Sequence, residues 1–326
     1  MGLVRLAINL LLGPPLFLIA LACAGAALAA QHGRTNLTWD ILAEFAPLWL
    51  AGAGGALLLA LALLRGTTRL AIVATGGIGV LAAGALIVPE FVRDTGPKAP
   101  AAAHHQLKIV QFNVWNENQD LSGTVDWILA QRPDVVVLEE TTPPIRRLIE
   151  ARMGWRSACR NCEVIIYSRE RPVSGGAAPR LHGPSPGPLA HATFQDDRGR
   201  YTVIGIHDAW PTDVGQHEAQ EARLARVISA YPRATTIVSG DFNSTPWSFA
   251  RRRWDAAFGL IRRDRALFSW PARRARGGRL RLPLPILPID HIYAGAAWAT
   301  VAIRRGPMLG SDHYPILITL APVAPP

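Results

Sequence analysis

Three long apolar stretches, residues 6–30, 41–64 and 70–92, constrain this chain first, because each is broken only by Gly, Pro or an occasional polar residue. Each exceeds the roughly 18 residues needed to cross a bilayer core. The first ends in ALAAQ, whose small residues suit signal-peptide cleavage. Its apolar run is longer than a signal core of about 7–15 residues, so a retained span is the expectation. Residues 1–93 are read as a membrane anchor with three transmembrane helices.

Flanking charge suggests an orientation. Arg5 precedes the first span, Arg65 and Arg69 lie between the second and third, and Arg34 in the remaining loop is offset by Asp40 and Glu44. The positive-inside rule then puts the amino terminus in the cytoplasm and everything after Arg93 on the extracytoplasmic side of the cell (inner) membrane. Cys159 and Cys162 of CRNC fit an oxidising compartment, as a structural disulfide or as two idle thiols. No second CxxC accompanies them, which argues against zinc. They also lead into the strand-like EVIIYS and not into a helix, unlike a thioredoxin-type motif.

Most of the net charge of +10 belongs to the second part of the chain: residues 1–100 carry 6 Lys+Arg against 4 Asp+Glu, and residues 101–326 carry 28 against 20. Such a balance fits an anionic partner, whether nucleic acid, phospholipid head group or phosphorylated small molecule. Arg251, Arg252 and Arg253, with the arginines of residues 273–281, suit a nucleic-acid backbone, an anionic membrane surface or a solvated face.

Residues 94–106, DTGPKAPAAAHHQ, are small, polar and proline-containing, as a linker should be. Beyond them β-like runs appear at LKIVQFNVW, DVVVLEE, EVIIYSR, YTVIGIH, TTIVSGDF, IDHIYAG and YPILITL. Helix-like stretches appear at SGTVDWILAQ, PPIRRLIEARM, VGQHEAQEARLARVISA and PWSFARRRWDAA, the last opened by Pro246. Strands of nearly continuous Val, Ile and Leu need cover on both faces, which points to two packed sheets flanked by helices in residues 107–322.

Polar groups sit at the ends of those strands: Asn113, Glu139 and Glu140, His207 and Asp208, Asp241 and Asn243, Asp290, and Ser311, Asp312 and His313. A single Asn or Asp there is usually a turn former. Six strand ends bearing carboxylates, amides and imidazoles together point to a site built on a rigid scaffold. Their oxygens are hard ligands suited to magnesium, manganese or calcium, and the lack of HExxH argues against zinc. In SGDFNSTPW the alternation of a strand would turn Asp241 and Asn243 to one ligand and Phe242 into the core, with Gly240 letting the backbone bend.

FNVW, PDVVVLEE, IHDAWP, SGDFNSTPWS, PIDHIY and GSDHYPI resemble, in order and spacing, the endonuclease/exonuclease/phosphatase superfamily, in a membrane-anchored bacterial form. The resemblance implies a four-layer α/β/β/α sandwich, two packed mixed sheets flanked by helices, behind the three transmembrane helices. It implies a divalent-metal-dependent phosphoesterase acting on an anionic phosphate ester, with Glu140 as principal metal ligand and Asn113 and Asp312 close to it. Mg2+ is the expected metal, with Mn2+ or Ca2+ as alternatives. His313 would be general base or phosphate-binding imidazole, oriented by Asp290. Asp241 would align the attacking water, Asn243 would stabilise phosphate oxygens, and His207 would be general acid or phosphate contact, with Glu163 a candidate partner. Glu139 stands where the family usually has Gln. The alternative is a non-catalytic, membrane-tethered binding module that keeps the fold.

Overall fold

The computed structural model describes residues 2–160, 162–178, 189–272 and 284–323, so the arginine run 273–281 lies outside the described residues. In chain order the elements begin with helices α1 (Gly2–Ala30), α2 (Leu37–Asp40), α3 (Ala46–Leu63) and α4 (Gly66–Val92). Next come β1 (Leu107–Asn113), α5 (Leu121–Gln131), β2 (Val135–Glu139), α6 (Pro143–Met153), β3 (Arg156–Ser157), β4 (Ile165–Ser168), β5 (Ser174–Ala177), β6 (Leu189–Asp196) and β7 (Gly199–His207). The rest are α7 (Val214–Ser229), β8 (Thr236–Asp241), α8 (Phe249–Phe258), β9 (Ile261–Arg262), β10 (Asp290–Ala294), β11 (Trp298–Arg305) and β12 (Ile316–Pro322). Two compact units result, Met1–Arg93 with Pro246–Arg253, and Asp94–Thr245 with Trp254–Pro326.

In the first unit, three helices are long and apolar enough to cross a membrane. Their burial runs opposite to that of a water-soluble bundle: Ala20, Ala27, Ala53, Ala60 and Ala83 are fully buried, while Leu11 and Leu81 are 73% and 76% exposed. Small residues inward and leucines outward is the packing helices adopt where the surroundings are as apolar as leucine. The same unit holds the first turn of α8. Both carboxylate oxygens of the buried Asp40 accept consecutive backbone N–H groups there, from Phe249 (2.9 Å) and Ala250 (2.7 Å). Ser248 Oγ accepts the N–H of Arg251 (3.0 Å), so the helix starts at Phe249, three residues after the proline expected to open it. Arg251 is fully buried and Arg252 donates to the carbonyls of Leu86, Pro246 and Trp247. Neither is a solvated or partner-tracking arginine.

The second unit is built on two mixed six-stranded sheets, ordered β11-β12-β1-β2-β4-β3 and β5-β6-β7-β8-β10-β9. All seven β-like runs became strands. Between the sheets lies a dry layer containing Ile109, Val137, Ile166, Val203, Ile237, Ile292 and Ile318. Phe112, Val136, Leu138 and Tyr167 face outward onto Val125 and Ile128 of α5 and Ile145 and Ile149 of α6. On the other side Ile204, Val238, Phe242 and Tyr293 meet Leu224 and Ile228 of α7 and Phe258 of α8. Helices, sheet, sheet and helices therefore stack in four layers, as the continuous apolar strands require.

Register carries the site residues to one edge. In the first sheet the parallel pair β1 and β2 sets Asn113 opposite Glu139. In the second, Asp241 at the end of β8 is paired with His207 of β7 on one side and Asp290 of β10 on the other. Gly240 serves this register and not a bend: a Cβ there would lie 1.9 Å from the carbonyl oxygen of Ile206 on β7. Cys159 and Cys162 are joined in a disulfide.

Candidate active site

Strand alternation does not place Asn243, because β8 ends at Asp241. Asp241 Oδ1 instead accepts the N–H of Asn243 (2.8 Å), a local turn that puts Asn243 in the left-handed region at φ 48°. One amide hydrogen of Asn243 goes to the carbonyl of Asp208 (2.8 Å), and its buried Oδ1 has no partner among the described residues. Phe242 is fully buried against α7 and α8, the internal peg the sequence suggested.

Asp241 is the centre of the cluster. Its Oδ2 accepts Asn113 Nδ2 at 3.1 Å and lies 3.5 Å from His313 Nε2 and 3.8 Å from His207 Nε2. Asn113 Nδ2 also donates to Glu140 Oε1 (3.1 Å), while its Oδ1 accepts the N–H of Trp115 (3.0 Å). The two adjacent glutamates differ in their surroundings. Glu140 leaves the strand at φ 52°, turns its half-buried carboxylate to Asn113 and the N–H of Asn116, and stands 3.8 Å from His207 Nε2. Glu139 is fully buried beneath the cluster and accepts Gln111 Nε2 (3.1 Å).

Each imidazole has a carboxylate at Nδ1: Asp290 for His313 and Glu163 for His207, both at 2.9 Å. Burial alone would lower the pKa of His313, but Asp290 and Asp241 outweigh it and lift the group to about 10. His207 is raised in the same way, with Glu163, Asp241 and Glu140 overcoming burial. Burial pushes Asp241 up to about 6 against the pull of His313, and the same histidine holds Asp290 below the usual carboxylate range despite its burial. Glu139 is pushed well up by burial, then by Asp290 and Asp241. Asp312 is raised by burial, with Glu140 adding to the rise, and its Oδ2 accepts Trp270 Nε1 (3.2 Å).

All eight sequence-picked residues thus share one region, linked through Asn113, Asp241 and His313. Sequence reasoning did not find Gln111, which looks like an ordinary strand residue. It picked Asp208 at a strand end but missed His217 and Glu221, which complete a second buried group with it, their ligand-type atoms within 4.8 Å of one another. The i, i+4 spacing of His217 and Glu221 was the signal for those two.

Residues 110–313 match the Endonuclease/Exonuclease/phosphatase family. The chain belongs to that family. No curated protein sequence matches it. The solved structures similar to this member of the family share its fold at low identity. D. rerio TDP2 complexed with a single-strand DNA product has 15% identity and a TM-score of 0.53, over 66% of this chain and 99% of that one. Sphingomyelinase C from Streptomyces griseocarneus has 18% identity and a TM-score of 0.50, over 66% and 99%. The human Nocturnin catalytic domain with a bound sulfate has 17% identity and a TM-score of 0.51, over 72% and 98%.

Proposed function

We propose that the protein is a membrane-anchored, divalent-metal-dependent phosphoesterase. The observation that carries this is Asp241, a carboxylate lifted to about 6 and flanked by two carboxylate-backed imidazoles. A group poised near neutrality is suited to take a proton from an attacking water. His313, charged at neutral pH with its Nε2 beside Asp241, is suited to bind phosphate oxygens, which leaves Asp241 as the base. His207, also raised and held at Nδ1 by Glu163, is suited to protonate the leaving oxygen. Asn243 has a second amide hydrogen for a phosphate oxygen.

The donor set fits a hard cation. Asp312 is a carboxylate raised by burial and by the neighbouring Glu140, and Asn243 Oδ1 is a buried acceptor without a donor among the described residues. Glu140 and Asp312, with Asn113 beside them, would hold Mg2+, with Mn2+ or Ca2+ as alternatives. The cation would supply polarisation of the phosphoryl oxygens.

A DNA-bound protein and a sphingomyelinase share the fold, so the reading is of a phosphate ester as a class, with nucleic acid and phospholipid as the leading sources. The three apolar helices would cross the inner membrane and residues 107–322 would lie on the extracytoplasmic side. Because Pro246–Arg253 packs in the helical unit, the assay uses the full chain in detergent. Hydrolysis of bis(p-nitrophenyl) phosphate with Mg2+, lost on chelation and in His313→Ala, is expected. Activity indifferent to both would sink the assignment, and a panel of DNA, RNA, phospholipid and inositol phosphate would then name the substrate.

A further inference from the structure

Gln111 joins the two sheets at the buried side of the site. It lies on β1 of the first sheet, two residues before Asn113 and so on the same strand face. Its Nε2 donates one hydrogen to Asp290 Oδ1 on β10 of the second sheet (2.8 Å) and the other to Glu139 Oε2 (3.1 Å). The other oxygen of Asp290 lies 2.9 Å from His313 Nδ1. Gln111, Glu139 and Asp290 are fully buried and His313 nearly so.

The orientation of this amide is dictated by charge. Gln111 Oε1 has no partner among the described residues, so nothing but the two carboxylates fixes the head group. A half-turn would aim that oxygen at the carboxylate of Asp290, which His313 holds in its charged form, and a contact of like polarity is costly in a buried setting. One neutral side chain therefore keeps Glu139 and Asp290 apart and sets the rotamer of Asp290. That rotamer in turn fixes which nitrogen of His313 faces Asp290 and points Nε2 at Asp241, 3.5 Å away. The hydroxyl of Ser269 accepts the backbone N–H of Asp290 (3.3 Å).

We propose that Gln111 is a positioning residue that acts through Asp290 to orient His313 for the reaction, a role that rests on the phosphoesterase reading above. Gln111→Met keeps the length and removes the donor. In the full chain with Mg2+ and bis(p-nitrophenyl) phosphate, kcat should fall roughly 10- to 100-fold, as on loss of an outer-shell partner, with KM within about twofold. In an Asp290→Asn background the same change should cost less than about threefold, because residues acting as one unit are not additive. A second readout needs no turnover. In 15N-histidine spectra recorded below the melting transition of the variant, the ring nitrogens of His313, identified by their loss in His313→Gln, should shift in Gln111→Met.

Wild-type kcat in Gln111→Met, or an undiminished loss in the Asp290→Asn background, overturns the proposal. Should the methionine variant not fold, Gln111→Ala is read by the same two measurements. Should the wild-type chain hydrolyse nothing, the phosphoesterase reading fails by itself. Unshifted His313 nitrogens would then still overturn the positioning of His313 by Gln111, and shifted ones would uphold it.

Discussion

Asp241 is buried among groups that pull its proton in opposite directions, and the balance makes the metal-free protein sensitive to pH. His313 is lifted from 6.5 to about 10 in the folded chain, so the stability its charge contributes is fully present below pH 6.5 and lost as pH rises through about 10. Asp241, raised from 3.8 to about 6, contributes in the same sense over a lower window, present below pH 3.8 and lost as pH rises through about 6. Melting temperatures measured with chelator should therefore fall from pH 6.5 towards pH 10, and His313→Gln should flatten that limb. A wild-type profile that stays level over this range would contradict the assigned charge on His313. Glu140 offers a second residue-scale test. It is a non-glycine residue in the left-handed region, a conformation that costs roughly 1–2 kcal/mol. Glu140→Gly should raise stability by about 1 kcal/mol on thermal or urea unfolding while abolishing Mg2+-dependent hydrolysis.

At the scale of elements, the pairing of β7 with β8 depends on Gly240. Gly240→Ala forces a methyl into the Ile206 carbonyl, an overpacking that should cost about 3 kcal/mol in urea unfolding and separate Asp241 from His207. Asp40 does comparable work at α8, and Asp40→Ala leaves one buried and one half-buried N–H group without their acceptors. A loss of about 1–2 kcal/mol is expected, with Asp40→Asn less affected, read as a shift in melting temperature of the detergent-solubilised chain. The strands around the site were legible because each is a run of Val, Ile and Leu closed by a polar residue. Strands β3 and β9 are two residues long, and β11 lies at a sheet edge with alternate residues exposed and two terminal arginines, so neither kind announces itself. The site residues were legible by their identity at strand ends. What sequence could not show was pairing at long range: the amide of Gln111 with Asp290, 179 positions away, and Asp40 with Phe249, 209 away.

The chain combines a helical unit that turns leucine outward with a sandwich that hides its apolar strands, two opposite burial patterns. A reporter active only outside the cytoplasm, fused after Ala103, should give signal, and one active only inside should not. The reverse result would overturn the proposed placement. The Asp40 cap bears on the same question by counting. Between Asp40 and the residues that follow Arg93 the chain has two helices able to cross a membrane, an even number. If both cross, an even number of crossings would return the chain to the side it left, consistent with the contact of Asp40 with Phe249. The parity is indifferent to loop charges and holds whether or not the first apolar stretch is retained.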